Sequence, residues 1–169
     1  MKAKKLICLA LPIMLLGVGC ETGKDYSKSN RGKEVMEELE NKNSSYDEEL
    51  YALGDALKDS EDILNYLVEP DDLVLHKDEY RDALYDLESI AIEIADLKPD
   101  NGFKELHKEI IKYMEKYREG INIQLKRIDS KDRVFLDGRL KMSTAKIGYL
   151  QTIYKMTKKY EKETKQVSN

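Results

Sequence analysis

The chain has 169 residues, and its 33 acidic and 29 basic residues give a formal net charge of −4. This length suits one domain with one substantial core, and an acidic surface does not favour nucleic acid as a partner. The cysteines are Cys8 and Cys20. The chain beyond Cys20 therefore has no disulfide and no thiolate metal site, and its stability must come from packing.

The N-terminus has the layout of a secretory signal peptide. Lys2, Lys4 and Lys5 precede an uncharged, mostly apolar run from residue 6 to residue 19. This run has 14 residues with Pro12 inside it, whereas a helix needs about 20 apolar residues to cross a bilayer. We therefore expect a cleaved leader and not a permanent membrane span.

The end of the leader carries a short motif. Val18, Gly19 and Cys20 fit the pattern Leu-(Ala/Ser/Val)-(Gly/Ala)-Cys, with Gly17 where leucine is usual and Leu16 one place early. Over these first twenty residues the chain resembles the bacterial lipoprotein precursors. The resemblance implies that the Cys20 thiol receives diacylglycerol, that the leader is cleaved before Cys20, and that the protein is held on the extracytoplasmic face of the cell membrane. An ordinary signal peptide with an incidental cysteine is the alternative.

The rest of the chain divides by composition into three parts. Residues 20–33 are nearly all small or charged, which is typical of a flexible tether. Residues 34–165 show helical periodicity throughout and form the predicted domain. The polar residues 166–169 are expected to be a disordered tail.

The periodicity predicts an all-α, up-and-down antiparallel bundle of three long helices and one shorter or longer N-terminal helix. The first apolar stripe consists of Tyr46, Leu50, Leu53, Leu57, Leu64 and Leu67. Met36 and Leu39 keep its phase. Either one long helix frays over residues 41–45, or a short helix precedes a longer one capped by Ser44 or Ser45. We favour the second arrangement.

The remaining stripes follow in chain order. The second contains Tyr80, Leu84, Leu87, Ile90, Ala91, Ile94 and Leu97 and ends at a turn over residues 98–102. The third contains Phe103, Leu106, Ile110, Met114, Tyr117, Ile121, Leu125 and Ile128. The fourth helix has one apolar ridge of Leu136, Leu140, Ile147, Leu150 and Tyr154 and a second ridge of Met142, Tyr149, Ile153 and Met156. Both ridges are expected to face the core.

Charge is divided unequally along the chain. Residues 34–100 hold 22 acidic and 5 basic residues, and residues 131–169 hold 4 acidic and 10 basic residues. Either oppositely charged helices pack side by side, or the acidic helices present a face to a basic partner. The sequence leaves both open.

No motif indicates catalysis, a metal or a cofactor. A di-iron bundle site needs Glu-x-x-His on two helices, but Leu73 precedes His76 by three residues and Lys104 precedes His107 by three. For the serines in predicted caps and in the tether, neither histidine forms a recognisable motif around them. We therefore expect a protein that is not an enzyme.

Two groups of residues are candidate contacts. Tyr51 and Tyr85, on the two acidic helices, are candidate contacts for an unidentified protein partner. The candidate contacts for an anionic surface are Lys155, Lys158, Lys159 and Lys162. The expected function is a membrane-anchored, non-enzymatic protein interaction module. The alternatives are a binder of anionic envelope polymer, lipid surface or small ligand, and an envelope hydrolase.

Overall fold

The computed structural model describes residues 29–42, 44–68, 76–129 and 135–167, with the side chains of 101, 135 and 163–167 excepted. These residues form five α-helices: α1 (Arg31–Glu40), α2 (Tyr46–Tyr66), α3 (Lys77–Asp96), α4 (Lys104–Arg127) and α5 (Phe135–Val167). A 3₁₀ turn (Asn101–Phe103) leads into α4. The predicted all-α bundle is confirmed, with four long helices and one short N-terminal helix.

The break between α1 and α2 has a local cause. The backbone N–H of Ser45 donates to the Glu48 carboxylate at 2.9 Å, and Asp47, Glu48 and Glu49 occupy the first turn of α2. These acids favour a helix start because the N-terminal end of a helix is electropositive. The preferred arrangement of a short helix followed by a longer one is thus confirmed, with Ser45 as the cap.

Helices that are neighbours in sequence pack against one another from α2 to α5, and α1 lies on α2 and α3. Their shared core contains the fully buried side chains of Leu53, Leu57, Tyr80, Leu84, Leu87, Ile90, Ile94, Ile110, Met114, Tyr117, Ile121 and Ile128. The hydroxyls of the two fully buried tyrosines have partners, since Tyr80 donates to Gln124 and Tyr117 donates to Glu61 at 2.6 Å. Each aromatic ring thus contributes its apolar area without leaving a polar atom unsatisfied.

The most extensive helix contact joins α4 and α5. A Cβ atom on Gly120 would lie 2.7 Å from the carbonyl oxygen of Gly138, and a Cβ atom on Gly138 would lie 2.6 Å from Cγ of Gln124. The absence of side chains at these two positions lets the backbones approach, as small residues do in other close helix pairs. Because the contact needs both glycines to face each other, it sets the rotation of α5 about its own axis.

Polar side chains hold α5 against α2. The Glu61 carboxylate, whose side chain is 14% exposed, accepts from Tyr117 of α4 and from the ammonium of Lys146 on α5. The Arg139 guanidinium donates to Asn65 at 2.8 Å, so α2 and α5 run antiparallel. The acidic α2 and the basic α5 are therefore neighbours, as the first interpretation of the charge division expects.

Two predicted boundaries differ from the structure. The tether was expected to end at residue 33, but α1 begins at Arg31, and the buried Gly32 donates its N–H to Ser89 Oγ at 3.0 Å. A Cβ atom on Gly32 would lie 2.6 Å from the Ser89 carbonyl oxygen, so this glycine allows a close α1–α3 approach. At the other end, α5 continues to Val167, past the predicted start of the tail. The leader, Cys20 and the tether up to residue 28 lie outside the described residues.

Candidate protein interaction surface

The long helix α5 has two apolar ridges, and the structure buries only one of them. Met142, Ala145, Tyr149 and Met156 are between 1% and 7% exposed and face the core together with the fully buried Thr152. This ridge contacts α4 through Met142, which lies beside Gly120, and α2 through Tyr149, whose hydroxyl is 3.5 Å from the Leu50 carbonyl oxygen. It accounts for the packing of α5 in the bundle.

The other ridge faces outward. Its exposed fractions are 65% for Leu136, 64% for Leu140, 57% for Ile147, 51% for Leu150 and 63% for Tyr154. We call these five residues the outer ridge. The prediction that they face the core was wrong, because the Gly120–Gly138 contact fixes the rotation of α5 and only one of its two apolar faces can meet the bundle.

The outer ridge extends along one face of α5. Its residues are spaced by three, four or seven positions between Leu136 and Tyr154, which corresponds to a length of about 27 Å. Ile147 and Leu150 also line a shallow cavity of about 340 Å³ in the seam between α5 and α2, beside Leu64 and Asn65. Single exposed leucines are ordinary, whereas apolar residues aligned on one helix face mark an interaction surface.

A smaller cavity of about 120 Å³ lies at the other end of the α2–α5 seam. Its lining residues are Tyr46, Asp47, Leu50, Tyr51, Asp100, Phe103, Ile153, Met156, Thr157 and Tyr160. The Tyr46 hydroxyl is hydrogen-bonded to Nδ1 of His107 at 2.9 Å, and Nε2 of His107 is 3.3 Å from the Ala95 carbonyl oxygen. Burial lowers the pKa of His107, and burial together with nearby Asp100 raises the pKa of Tyr46. Both groups are therefore neutral near pH 7, and their bonds join α2, α3 and α4.

A third cavity, of about 530 Å³, has an acidic lining where α1 meets α2 and α3. The carboxylates in its lining are those of Glu40, Glu49, Glu93, Asp96 and Asp100. Burial and then repulsion from Asp96 raise the pKa of Glu93, and burial and then repulsion from Glu40 raise the pKa of Glu49. Within the described ranges, no three acidic, histidine or cysteine side chains are grouped closely enough to hold a metal ion.

The two tyrosines predicted as partner contacts have different surroundings. Tyr51 is 56% exposed on α2, and its hydroxyl is 3.2 Å from Thr157 Oγ1 on α5. Tyr85 is half-buried on α3. Of the two, Tyr51 borders the seam beside α5, so it is the one placed near the end of the outer ridge.

The lysines predicted to meet an anionic surface are mostly engaged within the protein. Lys155 bonds Glu109 at 2.7 Å, Lys158 bonds Glu161 at 2.9 Å, and each bond raises the pKa of its lysine. Lys159 donates to the Gly102 carbonyl oxygen, and Lys162 is exposed. These residues share the C-terminal half of α5, where they form a partly neutralised basic end.

The outer ridge is the surface that sequence reasoning missed. The signal was present, because an amphipathic helix that packs on one side needs one apolar stripe and α5 carries two. No family model, curated protein or solved structure matches this chain. In the part of the chain that the structure describes, no helix is both long and apolar enough to cross a bilayer.

Proposed function

We propose that this protein is a lipid-anchored, extracytoplasmic module that binds another protein through the outer ridge of α5. One observation carries the proposal: five large apolar side chains, each at least half exposed, lie along one face of a helix whose opposite face is already packed. Leaving them in water is unfavourable, at roughly 25 cal/mol for each Å² of apolar surface. A docked partner removes this cost.

The chemistry around the ridge favours a protein over an anionic membrane or polymer. The adjacent α2 carries seven acidic residues and one lysine, so an anionic surface approaching the ridge meets repulsion from α2. The flanking Lys146 and Lys155 are paired with Glu61 and Glu109. An apolar centre with a polar, mixed-charge rim is the usual composition of a protein interface.

The anchor part of the proposal rests on Val18-Gly19-Cys20 and is tested separately. We expect a fatty acid carrying a clickable label to be incorporated into the parent chain and not into the Cys20→Ala variant. Cys8→Ser is the matched control, because it removes the other cysteine and should still be labelled. Label on the Cys20→Ala variant would refute the anchor.

The binding part is tested by a photo-crosslinking amino acid placed at Ile147 in the native host. The matched control places the same amino acid at Asn122, an exposed residue on α4. We expect a protein adduct at Ile147 and none at Asn122. An Ile147 probe that captures lipid alone, or equal capture at both sites, contradicts a protein-binding ridge.

A further inference from the structure

The outer ridge lies in a stretch of α5 with very little charge. From Met142 to Tyr154 the one charged residue is Lys146, and its ammonium is turned toward Glu61 of α2. The other outward residues of this stretch include the uncharged Ser143 and Gln151, both exposed. A face of this kind meets a copy of itself without like-charge repulsion.

Three residues of the outer ridge, Leu140, Ile147 and Tyr154, are arranged symmetrically about Ile147. Leu140 and Tyr154 each lie seven residues from Ile147, which is two helical turns, and Ser143 and Gln151 each lie four residues from it. If two copies of α5 pack antiparallel with a two-fold axis at Ile147, Leu140 of one copy meets Tyr154 of the other. Ser143 then meets Gln151, and Ile147 meets itself, so these five positions are matched, while the other two ridge residues, Leu136 and Leu150, face Lys158 and Thr144.

Charge disfavours the parallel direction. The C-terminal half of α5 is basic, and the C-terminal half of α2, which holds Glu61 and the exposed Asp62, lies beside the N-terminal half of α5. An antiparallel pair brings the basic end of each α5 toward the acidic α2 of the other copy. A parallel pair places the two basic ends together, which is unfavourable.

The area of the ridge fits a modest dimer. A large side chain has roughly 200 Å² of accessible surface, so the exposed parts of the five ridge side chains together present on the order of 600 Å² per copy. Stable interfaces bury about 800 Å² per partner, so this contact falls at the low end. Tethering of both copies to one membrane raises their effective concentration and compensates for a weak contact.

We propose that the partner of the outer ridge is a second copy of this chain, packed antiparallel through α5 with the two-fold axis at Ile147. This inference rests on the proposed function and names its partner. It predicts which residues of the two copies lie next to each other across the interface. Disulfide formation between single introduced cysteines tests these neighbours.

The test uses the full chain in isolated membranes with a mild oxidant. The parent chain, treated in the same way, shows how much disulfide-linked dimer its own cysteines form. Ile147→Cys is expected to form a disulfide-linked dimer. Leu140→Cys and Tyr154→Cys are expected to link to each other when differently tagged copies are co-expressed, and neither is expected to link to itself. In the antiparallel pair two copies of residue 140 are about 21 Å apart along the axis, whereas a disulfide requires Cα atoms within about 7 Å.

The outcomes separate the inference from the proposed function. Self-linking at position 140 or 154 overturns the antiparallel register. No link at position 147, in variants whose helix content by circular dichroism equals that of the parent, overturns the self-association. If the photo-probe at Ile147 still captures a different protein in that case, the inference fails and the protein-binding function stands. Capture of lipid alone overturns both.

Discussion

Truncation to alanine should lower the stability of the protein strongly at Met142 and hardly at all at Leu140, although the two residues are close together on α5. Met142 is 4% exposed, faces Gly120 across the α4–α5 contact, and accepts a hydrogen bond from Gln124 Nε2 at its sulfur. Leu140 is 64% exposed on the outer ridge. The two positions share one helix and nearly the same height along it, so each controls for the other.

The expected magnitudes follow from burial. Met142→Ala removes a buried side chain, leaves a cavity and deprives Gln124 of a partner, which costs about 2–5 kcal/mol. Leu140→Ala removes surface that is mostly in water, so its effect should stay within about 0.5 kcal/mol. Alanine is also the best helix former, which further limits any loss at position 140.

The assay is urea unfolding of the parent and both variants, followed by circular dichroism at a chain concentration low enough to keep the protein monomeric. The slope of unfolding free energy against urea should be the same in all three, so that the midpoints compare directly. A loss above about 2 kcal/mol for Leu140→Ala under these conditions would mean that the ridge packs within the monomer. The rotation of α5 described above would then be wrong.

Three further variants test other contacts. Gly148→Ala should lower the free energy of unfolding in urea by about 1–2 kcal/mol. The added Cβ would lie 2.1 Å from the Tyr113 ring, and this overpacking outweighs the gain in helix propensity. A gain in stability would show that the ring moves freely. Burial and then repulsion from Asp96 raise the pKa of Glu93, so its charged form destabilises the fold above the folded pKa, and this cost is relieved as pH falls. Glu93→Gln should therefore raise the thermal midpoint at pH 7 more than at pH 5. An equal shift at both pH values would exclude the charge of Glu93 as the cause. Burial lowers the pKa of His107, so its contribution to stability is fully present above its unfolded pKa, about 6.5, and is lost as pH falls through the folded pKa. The His107→Gln variant should therefore lose less stability than the parent between pH 7 and pH 5. Parallel profiles of stability against pH for the two proteins would contradict this.

The amino-acid sequence by itself determined the helices and most of the core. Period-3.6 stripes reported Tyr46, Tyr80 and Tyr117 as buried, and the Ser45 cap with its acidic first turn separated α1 from α2. These features are local, because a helix start and an apolar stripe depend on residues within a few turns. Local information therefore sufficed for the fold class.

The tertiary structure alone decided which face of α5 is buried. Periodicity shows two apolar ridges of similar strength, and the choice between them depends on where Gly120 of α4 meets Gly138 of α5, eighteen residues further along the chain. The Glu61–Lys146 pair joins residues 85 positions apart and adds a second constraint from α2. Neither contact has a local signature, because each exists only once helices that form independently have packed. The exposed ridge, and with it the proposed interface, follows from that packing.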